Sequence, residues 1–197
     1  MKLDLVFSGI GGQGVVVSSD IFCEAALLDG FDVAKAEIHG MAQRGGSIIA
    51  HIRVGEKVQA PLIEKGKAQI VLGFEMLETA RALPMLSKDG IVIMNTKYIL
   101  PNTCFDNSGK IYSKQELLKV IRKKATFVYG IDGSAIAIKL GNIRVANTVL
   151  LGALSAVLKN SITQVSLEKA IASRLKKKYV NLNIKAFQIG REQVALS

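Results

Sequence analysis

The stretch Gly9-Ile10-Gly11-Gly12-Gln13-Gly14 decides the fold class of this 197-residue chain. A short apolar run, Leu3 to Ser8, precedes it, and Val15 to Leu28 follows with apolar residues at helical spacing. This pattern predicts a buried strand, a tight glycine turn and a helix. Backbone N–H groups and the helix dipole at such a turn favour an anion. We therefore expect a phosphate-bearing ligand to bind at Gly11, Gly12, Gln13 and Gly14, with a purely structural strand-to-helix turn as the alternative.

The same alternation of strand and helix continues along the chain. Further strands are predicted at Asp32 to Ile38, Ser47 to Val54, Ala68 to Phe74, Gly90 to Asn95 and Thr126 to Gly130. Helices are predicted at Glu75 to Leu86 and at Ser113 to Lys124. Such alternation is typical of an α/β fold with three layers, in which a mostly parallel, Rossmann-like sheet carries helices on both faces.

The C-terminal part of the chain, from about residue 144 to residue 197, is predicted to be helical. Helices are expected at Val145 to Leu158, Ser166 to Tyr179 and Asn183 to Val194. A turn-rich excursion is expected at Asn102 to Gly109. We see no repeat, low-complexity tract or linker, so residues 1–197 are predicted to form one domain whose helical tail packs on the sheet or on a partner.

A second loop with unusual chemistry spans Glu37-Ile38-His39-Gly40-Met41-Ala42-Gln43-Arg44-Gly45-Gly46-Ser47. An imidazole, an amide and a guanidinium lie within six residues of one another, between glycines that permit close backbone approach. Arg44 can grip a phosphate or carboxylate in a bidentate manner. We predict ligand binding by Arg44, Gly45 and Gly46, and an active-site or interface lining of His39, Met41 and Gln43.

The glycine stretch also matches the GxGxxG pattern of dinucleotide-binding folds. Glu37 follows roughly twenty residues later, at the end of the next predicted strand, where an acid could bind a ribose. An NAD-dependent dehydrogenase is therefore an alternative. His51 alternates with apolar neighbours along a strand and is expected to be a structural histidine.

Composition restricts the class of partner and of metal chemistry. The formal charge is +10, with basic runs at Arg122 to Lys124 and Arg174 to Lys178. Such a surface attracts acidic partners, but aromatic residues are not interleaved with these runs, so nucleic-acid binding is a weak alternative. Cys23 and Cys104 belong to no metal-binding motif and are expected to be free thiols, so no metal site is predicted.

No signal segment or membrane span is expected in the chain. The N-terminal apolar run is too short for a secretory signal, and polar residues interrupt the most apolar stretch, Val145 to Leu158. We therefore expect a cytoplasmic protein.

The two loop motifs together resemble those of the gamma-type domain of 2-oxoacid:ferredoxin oxidoreductases. The form His39-Gly40-Met41-Ala42-Gln43-Arg44-Gly45-Gly46 is similar to the indolepyruvate branch of that family. Pro61-Leu62-Ile63, the pair Phe74-Glu75 with Arg81, and Asn147 near Gly152 also resemble it. The similarity covers most of the chain and is less distinctive after Ser161.

The resemblance implies a subunit that is inactive alone. Its larger alpha partner would carry thiamine diphosphate and iron–sulfur clusters, in a heterodimer or a dimer of heterodimers. The complex would oxidatively decarboxylate arylpyruvates to aryl-acetyl-CoA and reduce ferredoxin, with coenzyme A at the interface. No proton-transfer residue is assigned within this chain. A gamma subunit specific for pyruvate, 2-oxoglutarate or ketoisovalerate is the alternative within the family, since the sequence alone does not define the 2-oxoacid.

Overall fold

The computed structural model describes residues 2–40, 45–100, 111–159 and 161–195. Within these ranges the strands are β1 (Lys2–Ile10), β2 (Asp32–His39), β3 (Ser47–Gly55), β4 (Ala68–Gly73), β5 (Leu86–Asn95) and β6 (Phe127–Ile131). The α-helices are α1 (Val15–Leu28), α2 (Met76–Ala82), α3 (Lys114–Lys124), α4 (Gly133–Lys139), α5 (Ala146–Val157), α6 (Gln164–Arg174) and α7 (Lys177–Ala195). Two short 3-10 helices lie at Leu83–Met85 and Ile143–Val145.

The strands form one twisted sheet in the order β2-β3-β1-β4-β5-β6. The pairs β1–β4, β4–β5 and β5–β6 are parallel, whereas β3 is antiparallel to both β1 and β2. Five of the six described strands therefore run in one direction, which confirms the predicted mostly parallel sheet. The carboxyl ends of these five strands lie at the same edge, and β3 begins there.

Helices cover both faces of the sheet, as the sequence predicts. One hydrophobic core lies between the sheet and the group α1, α4, α5, α6 and α7, and a second core lies between the other face and α2 with α3. Phe7 and Val6, neighbours on β1, enter the first and the second core respectively, and both are fully buried. This alternation follows from the two-residue period of a strand.

The helical tail packs on the sheet through closely approaching helices. A Cβ atom added to Gly152 on α5 would lie 2.0 Å from the carbonyl oxygen of Phe187, and one added to Gly190 on α7 would lie 1.9 Å from that of Val149. The two glycines thus allow the backbones of α5 and α7 to touch. Phe187 itself is fully buried in the first core.

Several predicted elements differ from the structure at their ends. The predicted helix Ser166 to Tyr179 is wrong at both boundaries, because α6 already starts at Gln164 and stops at Arg174, and α7 then runs unbroken through Asn183. The predicted helix Glu75 to Leu86 is too long, because Pro84 lies in a 3-10 turn and Leu86 already begins β5. Helix α4 is absent from the sequence prediction. The predicted excursion Asn102 to Gly109 lies outside the described residues.

Candidate functional site

The first glycine loop connects β1 to α1 in the predicted manner. Gly12 and Gly14 adopt positive φ angles of 99° and 82°, which residues with a side chain rarely accept. Gly14 is the N-cap of α1, and no side chain caps this helix. The Gln13 side chain folds back and accepts a hydrogen bond from Ile10 N at 2.8 Å. The loop therefore presents the uncapped start of a 14-residue helix.

Asn147 from α5 packs directly against this helix start. A Cβ atom on Gly14 would lie only 2.6 Å from Asn147 Nδ2, so glycine is required there for space as well as for φ. Asn147 is 9% exposed, and its Oδ1 accepts from Thr148 N at 2.8 Å. Among the described residues its Nδ2 group has no recorded acceptor. The amide nitrogen of this largely buried residue thus lies beside the start of α1, where it is accessible to a ligand.

A cleft of about 600 Å³ opens beside Gly14 and Asn147. Residues at or just after the carboxyl ends of β1, β4, β5 and β6 line it, together with the starts of α5 and α7. This is the position where open α/β sheets bind their ligands. Its lining residues are Gly12, Gln13, Gly14, Val17, Phe74, Asn95, Lys97, Ile99, Ser134, Asn142, Ile143, Arg144, Val145, Ala146, Asn147, Leu150, Leu175, Tyr179 and Asn183.

The cleft is electropositive. Lys97 and Arg144 are both exposed and line it, and no residue of the lining is acidic. Lys176 to Lys178 are exposed and lie in sequence between the lining residues Leu175 and Tyr179, so these three lysines flank the cleft. Together with the α1 N-terminus, these cations favour a ligand that carries several negative charges.

Asn95 in the cleft and Glu75 beside it are both held by hydrogen bonds. Asn95, the last residue of β5, donates from Nδ2 to Ser134 Oγ at 3.0 Å. Glu75, which is fully buried, accepts from Ile99 N at 2.9 Å and from Glu78 N at 3.0 Å. Burial raises the pKa of Glu75. Glu75 therefore fastens the cleft wall at Ile99 to the start of α2.

The second predicted loop lies beside the first. His39 ends β2 and Ser47 starts β3 at the edge where β1 also ends, and Gly11 N donates to Gly46 O at 2.9 Å. Gly45 has a φ of 76°, and Gly40 N donates to Ser47 O at 2.8 Å. The structure thus brings the Gly11 and Gly45-Gly46 motifs together.

Met41, Gln43 and Arg44 lie outside the described residues, so their roles stay predictions. His39 is exposed and, like Gly45 and Gly46, is absent from the cleft lining. Its Nε2 lies 3.1 Å from Glu37 Oε2.

Glu37 is engaged in a way that does not suit ribose binding. Its Oε1 accepts from Lys35 Nζ at 2.6 Å, and Lys35 also binds Asp20 on α1. Burial opposes ionisation, but hydrogen bonds from Lys35 and His39 lower the pKa of Glu37. In addition β3 separates β2 from β1, whereas a dinucleotide fold places the acidic strand next to β1. The geometry therefore argues against the NAD alternative.

His51 is the structural histidine that the sequence predicts. It is 5% exposed, and its Nδ1 accepts from Ile63 N at 3.1 Å. Burial lowers the pKa of His51.

Cys23 is a free, partly buried thiol, and burial raises its pKa to about 12. Cys104 lies outside the described residues.

Sequence reasoning missed Asn95, Lys97, Ser134 and Arg144 as site residues. Asn95 had a usable signal, because it is a polar residue at the end of an apolar run that forms a parallel strand. Arg144 had none, because its position depends on how α4 and α5 pack.

The described part of the chain contains no cluster of three or more His, Cys, Asp or Glu residues able to hold a metal ion. No helix within it is long and apolar enough to cross a membrane.

Comparison with known proteins places this chain in one family. Residues 4–193 match the pyruvate ferredoxin/flavodoxin oxidoreductase family. The chain is 37% identical over 193 residues to indolepyruvate oxidoreductase subunit IorB of Archaeoglobus fulgidus, covering 98% of this chain and 96% of that protein. The chain belongs to the pyruvate ferredoxin/flavodoxin oxidoreductase family, whose members include subunits of 2-oxoacid oxidoreductase complexes.

Two solved structures share the fold. The keto/oxoacid ferredoxin oxidoreductase gamma subunit of Geobacter sulfurreducens PCA superposes with a TM-score of 0.73 at 23% identity, covering 99% of both chains. The 2-oxoglutarate:ferredoxin oxidoreductase of Magnetococcus marinus, solved with 2-oxoglutarate, coenzyme A and succinyl-CoA bound, gives a TM-score of 0.76 at 18% identity. All of this chain aligns with 31% of that longer chain. The α/β architecture is therefore that of a gamma-type subunit.

Proposed function

We propose that the chain is the smaller, beta subunit of an indolepyruvate:ferredoxin oxidoreductase. The observation that carries this proposal is the 37% identity to an indolepyruvate oxidoreductase subunit over nearly the whole of both chains. The indolepyruvate-type form of the second loop, His39 to Gly46, supports the same branch.

The reaction is the oxidative decarboxylation of an arylpyruvate. The carboxylate leaves as CO₂, the acyl group is transferred to the thiol sulfur of coenzyme A with release of the thiol proton, and two electrons reduce two ferredoxins. The larger alpha subunit would hold thiamine diphosphate, which supplies the chemistry for decarboxylating a 2-oxoacid, and iron–sulfur clusters, which would carry the electrons. The two subunits form a heterodimer or a dimer of such pairs.

The role proposed for this chain is to bind coenzyme A. That co-substrate carries a diphosphate and a further phosphate, and the cleft offers matching chemistry. The uncapped start of α1 at Gly14 and the amide of Asn147 suit the diphosphate, while Lys97 and Arg144 suit additional negative charge.

The second loop is proposed to complete the site at the subunit interface. Arg44, Gly45 and Gly46 would contact the ligand, and His39, Met41 and Gln43 would line the active site or the contact with the alpha subunit. The hydrogen bond from Gly11 to Gly46 supports this role, because it places the loop beside the helix start.

A comparison of substrates in the reconstituted complex tests the reaction. The tagged chain and its alpha partner are purified together without oxygen, and dye reduction is followed with coenzyme A and one 2-oxoacid at a time. We expect kcat/KM for indolepyruvate to exceed the values for pyruvate and 2-oxoglutarate by at least about tenfold, which corresponds to about 1.4 kcal/mol of transition-state binding. A preference for pyruvate, ketoisovalerate or 2-oxoglutarate would instead assign the chain to a gamma subunit.

Paired charge variants test the coenzyme A cleft in the same complex. We expect Lys97→Ala with Arg144→Ala to raise KM for coenzyme A about tenfold or more, because charge-assisted hydrogen bonds are lost. The matched control is Lys119→Ala with Arg122→Ala on α3, which removes the same charges from the opposite side of the sheet. Equal effects of both pairs on KM would exclude a specific role of the cleft.

A further inference from the structure

The relative position of the two glycine loops depends on few contacts. Beyond the end of the β1–β3 pairing at Ile10 and Ser47, the recorded bond between them in the described part of the chain runs from Gly11 N to Gly46 O. A Cβ atom on Gly11 would lie 3.6 Å from Gly45 N, so the two backbones approach each other without side chains between them. A contact from outside the two loops would therefore add to their relative positioning.

Ser47, where the second loop enters β3, is tied to helix α2. Its Oγ donates to Glu78 Oε2 at 2.5 Å. The other carboxylate oxygen, Oε1, accepts from Arg81 Nη1 at 2.7 Å. Glu78 lies in the first turn of α2, which packs on β1 and β4. The Glu78 carboxylate therefore connects the end of the second loop to α2, which packs on β1, the strand that leads into the first loop.

The burial of Glu78 is costly and is not explained by helix capping. Its side chain is 4% exposed, whereas that of Arg81 is 52% exposed. Glu75 already caps α2 by accepting from Glu78 N at 3.0 Å. A buried carboxylate loses hydration free energy that a half-exposed cation only partly restores, although the helix dipole helps. An apolar residue would pack there without that loss, but it could not accept from Ser47.

We propose that Glu78 is a positioning residue, which holds the Gly45–Ser47 end of the second loop against the Gly11 loop and so keeps both in register for coenzyme A. The identification of the ligand as coenzyme A rests on the proposed function. The connection between α2 and the second loop is independent of it, because it rests on the contacts of Ser47, Glu78 and Arg81 alone.

The chain contains a matched control for this arrangement. Glu24 on α1 accepts from Ser173 Oγ and from Arg174 Nε, which joins α1 to α6. The residue types are those of Ser47, Glu78 and Arg81, but neither glycine loop is involved. Glu24→Gln therefore reports the cost of neutralising a less buried glutamate, 24% exposed, that binds a serine and an arginine.

Hydrogen exchange on the full chain tests the tie itself. We expect Glu78→Gln and Ser47→Ala to speed exchange about tenfold at the amides of Gly11 and Gly40, which donate to the Gly46 and Ser47 carbonyls, because local opening loses one charge-assisted hydrogen bond. Ser47→Thr keeps the hydroxyl and is expected to restore slow exchange. Unchanged exchange in Ser47→Ala, or an equal response in Glu24→Gln, would overturn the proposal.

Kinetics of the reconstituted complex test the consequence for the ligand. We expect Glu78→Gln to raise KM for coenzyme A about tenfold with kcat within about twofold, since binding geometry is disturbed and no reacting group is removed. Glu24→Gln is expected to leave both values unchanged. If the wild-type complex turns over without coenzyme A, the proposed function fails while the exchange result still stands. If the wild type requires coenzyme A and Glu78→Gln matches it, the positioning role fails.

Discussion

Replacement of Gly14 by alanine separates two physical effects that meet at the start of α1. The residue has a φ of 82°, and a left-handed conformation costs about 1–2 kcal/mol for a residue with a Cβ atom. The added Cβ would also lie 2.6 Å from Asn147 Nδ2, and such overpacking costs about 1–3 kcal/mol. We therefore expect Gly14→Ala to lower the free energy of unfolding by about 2–5 kcal/mol.

Gly12 provides the internal control for this experiment. Its φ is 99°, but a Cβ atom there would meet nothing within 4 Å. Gly12→Ala should therefore cost only the backbone term, about 1–2 kcal/mol. The double variant Gly14→Ala with Asn147→Ala should recover about 1–3 kcal/mol relative to the sum of the single variants, because the clashing amide is gone.

The assay is urea unfolding of the full chain, followed by far-ultraviolet circular dichroism for all variants under one condition. The slope m should stay constant, so that midpoint shifts report stability. Equal destabilisation by Gly12→Ala and Gly14→Ala, or strict additivity of the Gly14 and Asn147 changes, would refute the packing of Asn147 against the loop.

Three further outcomes are expected. Gly152→Ala should lower the free energy of unfolding by about 3 kcal/mol or more in the same assay, because its Cβ would lie 2.0 Å from the Phe187 carbonyl oxygen. A decrease of less than about 1 kcal/mol would contradict the close contact between α5 and α7. The lowered pKa of His51 should make the free energy of unfolding fall as the pH drops below about 6.5, because the unfolded chain binds a proton there that the folded chain, with Ile63 N bound to Nδ1, does not. Melting curves of His51→Asn over the same pH range should lack this loss of stability; a pH dependence equal to that of the wild type would exclude the role of His51. Arg44→Ala should lower kcat/KM of the complex about tenfold or more through loss of a charge-assisted contact, and unchanged turnover would remove the functional role of the second loop.

The sequence predicts those parts of the fold that depend on local patterns. Helix α1 occupies the predicted range Val15–Leu28, because glycines before it and Gly30 after it stop the helix on both sides. The capping box of Ser113 and Glu116 likewise marks the start of α3. In contrast, the break between α6 and α7 at Leu175 carries neither glycine nor proline, so tertiary packing decides it.

The candidate site was predictable only on one side. The glycine motif identified the start of α1, since the required φ angles and the helix dipole are properties of a few adjacent residues. The opposite wall contains Asn95, Lys97 and Arg144, which are far apart in sequence from that motif and come together through sheet order and helix packing. The antiparallel insertion of β3 was also not evident, although it decides against a ribose role for Glu37.

The most direct test of the central claim is recovery of the native complex. The tagged chain is purified from its own cell extract without oxygen, and the eluate is assayed for iron, thiamine and arylpyruvate-dependent dye reduction with coenzyme A. We predict a larger, brown, thiamine-containing partner and activity that requires both an arylpyruvate and coenzyme A. A colourless homo-oligomer that binds NADH and contains neither iron nor thiamine would contradict the account.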